Sequence, residues 1–123
     1  MTIQELYERI GGNYDQAVRV MKSERLIDKY IRKLKDSKVG ETLAEAGESM
    51  DAVKLFESAH AMKGICSNLG LDALAKAADE ITEEFRAGNS RKLSDDEVRR
   101  RLDAIAERYR TTEEGIRAYE EGL

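Results

Sequence analysis

The chain has no proline and no tryptophan, and among its 123 residues there is one cysteine and one histidine. Without proline, no helix interior meets an obligatory breaker. A single cysteine cannot form an internal disulfide, and Cys66 lies in a helical stretch where it reads as a small apolar residue. One histidine and one cysteine cannot supply a four-ligand zinc site of the usual kind, although carboxylates could hold a hard cation without any motif to show it. No glycine-rich loop of the P-loop or dinucleotide type is present, so nucleotide binding by those means is not expected. No apolar run approaches the roughly 18 residues of a membrane span, and "MTIQELYERIGG" lacks the basic-then-apolar layout of a signal peptide. A cytoplasmic protein is the simplest reading. Acidic residues outnumber basic ones 25 to 21, a net charge of −4, which gives no general attraction to nucleic acid or to anionic lipid.

What is abundant points one way. Ala, Glu, Arg, Lys and Leu dominate while aromatics make up 6%, so the composition favours helix throughout. The fold class expected is all-α, in one domain over residues 1–123. Thr2 can cap a short helix that Gly11 and Gly12 end. Asn13 opens "YDQAVRVM", and Ser23 opens "ERLIDKYIRKLK", either as two helices or as one bent helix. "VGETLAEAGESM" is a weaker helix interrupted at Gly47. Asp51 caps the segment carrying the histidine, and Gly70 ends it. Asp72 is placed to cap the next helix, which Gly88 and Asn89 stop, with its acidic run "DEITEEF" facing solvent. Ser94 with Glu97 forms a capping box for the last helix, whose polar tail "TTEEGIRAYEEGL" is expected to fray or project. These segments assemble as an antiparallel four-helix bundle over about residues 23–120, with short additional helices over about 1–22.

The one histidine can be placed on its helix by rotation. At about 100° per residue from His60, Leu55, Met62 and Leu69 fall at roughly 220°, 200° and 180°, with Ala59 and Cys66 beside them. Those residues make the core side, so His60 points outward. Its own face carries Val53, Phe56, Glu57, Lys63, Gly64 and Ser67. Phe56 is a large aromatic that a merely solvated face does not require; it either docks a partner or lies under an N-terminal helix. Glu57 is either an acceptor that orients the imidazole or an ordinary surface charge. Mid-helix glycine costs about 1 kcal/mol relative to alanine. One turn after His60, Gly64 removes bulk and lets another molecule approach, and the ammonium of Lys63 on the same face attracts a phosphoryl group.

The stretch "AHAMKGICSNLGL" resembles the core motif of the histidine-containing phosphotransfer (HPt) domains of multistep two-component phosphorelays. His60 falls on the phosphorylated histidine, Lys63 on the motif lysine, Gly64 on the motif glycine and Gly70 on the closing glycine. The resemblance extends loosely over the helices on either side, places Arg86 where some members carry a basic or polar residue near the histidine, and leaves the extension with Gly11 and Gly12 unexplained. It implies a carrier protein without kinase or nucleotide-binding activity of its own. His60 would take phosphate from the aspartyl phosphate of a response-regulator receiver domain and pass it to another, with a hybrid sensor histidine kinase upstream. Mg²⁺ would come with the receiver, no cofactor or metal would be needed on this chain, and a monomer is expected. Val53 and Phe56, with Ile65 as a further candidate, would form the docking rim, joined by Ser67 and Arg86. The alternative is a helical interaction module that binds a receiver or another protein without carrying phosphate, or a structural bundle whose motif is accidental.

Overall fold

The computed structural model describes residues 1–123 as seven helices and no strand. They are α1 (Ile3–Ile10), α2 (Tyr14–Met21), α3 (Glu24–Asp36), α4 (Val39–Ser49), α5 (Ala52–Asn68), α6 (Asp72–Glu84) and α7 (Asp95–Glu121). The N-terminal caps follow the side chains available. Thr2, Asn13, Ser23, Asp51 and Ser94 each accept a hydrogen bond from the backbone N–H three residues on, satisfying a donor that the helix itself leaves free. At Thr2 the box is reciprocal, with Glu5 returning to the Thr2 N–H.

Helices α4, α5, α6 and α7 close a ring in which each packs on the next, and α7 returns to α4. Connections of two, three and ten residues between successive members make them run up and down. The four-helix bundle expected from the amphipathic patterning is present, but it is formed by α4 to α7, and α3, expected inside it, packs outside the ring. Helix α7, with 27 residues, outlasts its partners, and α1 and α3 pack against it beyond the ring, with α2 bridging α3 and α5. All of the buried apolar side chains, from Ile3 and Leu6 in α1 to Tyr119 in α7, belong to one core cluster.

The structure settles one alternative and corrects four further expectations. First, of the two arrangements left open, α2 and α3 are two helices: Lys22 takes a left-handed conformation (φ 67°) and Ser23 starts afresh. Second, α4 is not interrupted at Gly47. That glycine is buried, and a Cβ there would stand 2.7 Å from Leu102 Cδ1, so the missing side chain lets α7 come close without breaking the helix. Third, the tail "TTEEGIRAYEEGL" neither frays nor projects. Thr112, Gly115, Ile116 and Tyr119 form a buried stripe against α1 and α3, and the Thr112 hydroxyl satisfies itself on the Arg108 carbonyl. Fourth, two caps differ. Leu71 occupies the N-cap of α6 without a side-chain bond, and Asp72 instead accepts from Asn13 Nδ2 at 3.2 Å. Glu97 turns to Arg100 and Arg101 rather than back to Ser94, so only half of that box forms. Helix α6 also ends at Glu84, with Phe85 as its C-cap, ahead of Gly88. Fifth, the run "DEITEEF" is not solvent-facing throughout. Ile81, Thr82, Glu84 and Phe85 are buried, and Glu84 accepts from Arg91 Nε and from the backbone N–H groups of Lys92 and Leu93, fastening the loop that leads to α7.

Gly70 sets how the N-terminal helices meet the bundle. Its φ of +70° suits glycine, and a Cβ would lie 2.2 Å from the Asn13 carbonyl oxygen, while its own carbonyl accepts from the Asn13 N–H at 2.7 Å. Tyr7 donates its hydroxyl proton to the Leu69 carbonyl at 2.6 Å beside this junction. The C-terminal end of the histidine-bearing helix is thereby clamped by α1 and α2. No helix is long and apolar enough to cross a membrane.

Candidate functional site

Helix α5 divides as the rotation argument requires. Leu55, Ala59, Met62 and Cys66 are fully buried, while His60 is exposed on the opposite side. Burial pushes the Cys66 thiol up to about 12, so it stays protonated and packs as an apolar group. Gly64 has no other group within 4 Å of the position its Cβ would take, so the turn beside the imidazole opens to solvent.

The imidazole is held by an aromatic neighbour. The rings of Phe56 and His60, one turn apart, lie 5.7 Å between centroids and within 5° of parallel, a stacked pair. Phe56 is only half-buried and packs at the margin of the core. The Arg86 guanidinium stands 5.1 Å from the Phe56 centroid, a cation–π contact, and its Nη2 pairs with Glu83 at 2.7 Å. Arg86 thus reaches the site through Phe56, from the turn that follows α6. Glu57 makes no hydrogen bond to the ring.

Lys63 is not idle on this face. Its Nζ lies 2.7 Å from Asp79 Oδ1 in α6, with both side chains about two-fifths exposed. The two cations flanking His60 are therefore each held by a carboxylate of α6, Asp79 and Glu83, four residues apart on one face of that helix. The sequence reading did not single out either acid. The available signal was the i, i+4 spacing of two acids on the helix joined to α5 by a three-residue turn.

The remaining residues spread along α5. Val53 is 65% exposed one turn before Phe56, and Ser67 is half-buried toward the C-terminal end. Ile65 does not join the imidazole's rim; it lines an apolar groove with Met21, Tyr30, Leu34 and Leu69, between α5 and the α2–α3 pair.

An exposed, aromatic-stacked imidazole with two carboxylate-bound cations at its margin can act as a nucleophile toward an electrophilic phosphorus and can hold the charge that arrives. Comparison with known proteins agrees in kind. The model of the Hpt domain matches residues 24–112, spanning α3 to the first two-thirds of α7 and leaving α1, α2 and the end of α7 outside. No curated protein and no solved structure matches the chain. With its match over most of the sequence, the chain belongs to the Hpt domain family, whose members are the phosphotransfer carriers that work with receiver domains in two-component phosphorelays.

Proposed function

We propose that His60 is the phosphoacceptor, taking the group from the aspartyl phosphate of a response-regulator receiver domain and handing it to another receiver, with a hybrid sensor histidine kinase upstream. The observation that carries this reading is the single imidazole, exposed on α5 and stacked on Phe56, with open space over Gly64. A lone pair on an imidazole nitrogen forms the N–P bond. The P–O bond to the aspartyl oxygen breaks, its electron pair leaving on the restored carboxylate, and the ring, now an imidazolium, gives the single N–H proton on its other nitrogen to solvent. In the reverse direction an aspartate oxygen attacks the same phosphorus and the imidazole leaves.

Positioning and charge neutralisation supply most of the catalysis of such transfers. On this chain, stacking on Phe56 limits rotation of the acceptor ring. Gly64 makes room for the edge of the receiver's site, and Lys63 offers three N–H donors to the phosphoryl oxygens. The receiver brings the Mg²⁺ and the carboxylates that bind it. Val53, Phe56, Ser67 and Arg86 lie along the face that a docked receiver would cover, a contact of modest area suited to a transient complex.

The test is to incubate the chain with a ³²P-labelled receiver and to look for acid-labile, base-stable label. The label is expected on the parent chain and is expected to vanish in His60→Gln. Label that survives the substitution overturns the assignment. Binding without label favours the interaction module.

A further inference from the structure

The pair Lys63–Asp79 raises a question that the phosphoacceptor reading leaves open. The ammonium meant to meet a phosphoryl group is already engaged, its Nζ lying 2.7 Å from Asp79 Oδ1. Asp79 comes from α6, so the pair ties two different helices, unlike the pairs within a helix at Arg99–Asp96 and Arg110–Glu107. The next residue, Glu80, turns away to Arg101 of α7 at 2.7 Å. Two adjacent acids of one helix thus serve different partners, and only Asp79 bears on the histidine's face.

We infer that Asp79 is a positioning residue for Lys63: its carboxylate holds the ammonium while His60 is free and yields it, wholly or in part, when phosphate arrives, so that the pair sets how readily His60 is phosphorylated. This rests on the phosphoacceptor reading. A phosphorylated side chain carries about −1.5 to −2 charge, against −1 on Asp79. An ammonium has three donors and rotates freely about its stem, so it can turn from one anion to the other without movement of the backbone. The contact is partly exposed, so its strength is that of a surface pair. Its loss corresponds to a two- to fivefold change at most, which suits tuning rather than an on–off gate.

The test uses potassium phosphoramidate, a small donor that needs no partner protein. An imidazole nitrogen attacks phosphorus, the P–N bond of the donor breaks, and ammonia leaves and takes up the imidazolium proton as ammonium. Phosphohistidine is followed by ³¹P NMR on the full chain. Asp79→Asn is expected to raise the initial rate about two- to fivefold. The gain is expected to disappear when Lys63→Ala is also present, the signature of a coupled pair rather than of general repulsion. Glu80→Gln, which removes the same charge one residue on, is expected to leave the rate within experimental error. Thermal unfolding of each variant establishes that it is folded.

An unchanged rate in Asp79→Asn overturns the inference, as does a gain that persists undiminished with Lys63→Ala or one that Glu80→Gln reproduces. Those results leave the phosphoacceptor reading standing when the parent chain is labelled in a His60-dependent way. If the parent takes no phosphate on His60, that reading fails and the inference falls with it.

Discussion

Two glycines in helix interiors, Gly64 in α5 and Gly115 in α7, have opposite surroundings. A Cβ on Gly115 would lie 2.5 Å from Ile10 Cγ2 and 3.6 Å from Leu6 Cδ1, so the missing side chain lets α1 sit directly on α7. A Cβ on Gly64 would touch nothing within 4 Å. Both glycines carry the same cost in helix propensity, but one returns it as packing in the fold and the other returns nothing to the fold at all. The proposed function gives Gly64 its return outside the fold, as room for the edge of a docked receiver. That room lies one turn from the exposed imidazole.

Substitutions at the two positions test the contrast. The largest effect is expected from Gly64→Gln. Crowding beside His60 should slow transfer from a phosphorylated receiver on the order of a hundredfold, while helix content by circular dichroism holds or rises. Transfer at the parental rate would break the comparison at its functional end. Gly115→Ala should cost about 1–3 kcal/mol in urea unfolding, because the branched Ile10 cannot turn its Cγ2 aside without leaving its rotamer well. Its transfer rate should stay parental at temperatures where the variant is folded. Gly64→Ala should stabilise by about 0.5–1 kcal/mol, the propensity difference with no packing to offset it.

The smallest effect sharpens the structural side through pH. Glu120, near the end of α7, accepts from Lys35 Nζ at 2.6 Å and Arg32 Nε at 3.1 Å, and these bonds hold its carboxyl below the usual carboxylate range. A carboxyl whose value is lowered on folding stabilises the fold above its unfolded value near 4.3, and the contribution is lost as pH falls through the lower folded value. Glu120→Gln should therefore lower the melting temperature slightly at pH 7, by less than about 1 kcal/mol in stability. The two proteins should converge in acid. A difference that grows on acidification would place the origin of the effect elsewhere.

Much of the fold was legible because helix ends are written in local chemistry. Thr2, Asn13, Ser23, Asp51 and Ser94 cap the helices they precede, and the 3.6-residue rotation placed Leu55, Met62 and Cys66 inward and His60 outward. The end of α7 was misread because its buried stripe is made of Thr112, Gly115, Ile116 and Tyr119. Threonine and glycine count as polar or breaking until a partner helix covers them. Gly47 was misread for the same reason: its value lies in how near Leu102 comes. At the site, the face shared by His60, Lys63 and Gly64 followed from spacing within one helix. Asp79 did not, because its pairing depends on α6 lying beside α5 with that acid turned toward Lys63, and the Glu83–Arg86 pair, though local, bears on the site only because Arg86 reaches Phe56 of α5.

The sequence by itself determined what is local: which segments are helical, where most of them begin, and which side of α5 exposes the imidazole. All of these depend on side chains within about one turn of each other. Tertiary structure alone decided that the Arg86 cation stands over Phe56, that Lys63 rests on Asp79, and that α1 closes against α7 at Gly115. Packing between helices selects one rotamer and one partner from several that a single helix allows equally, and that choice is made only when the second helix is in place.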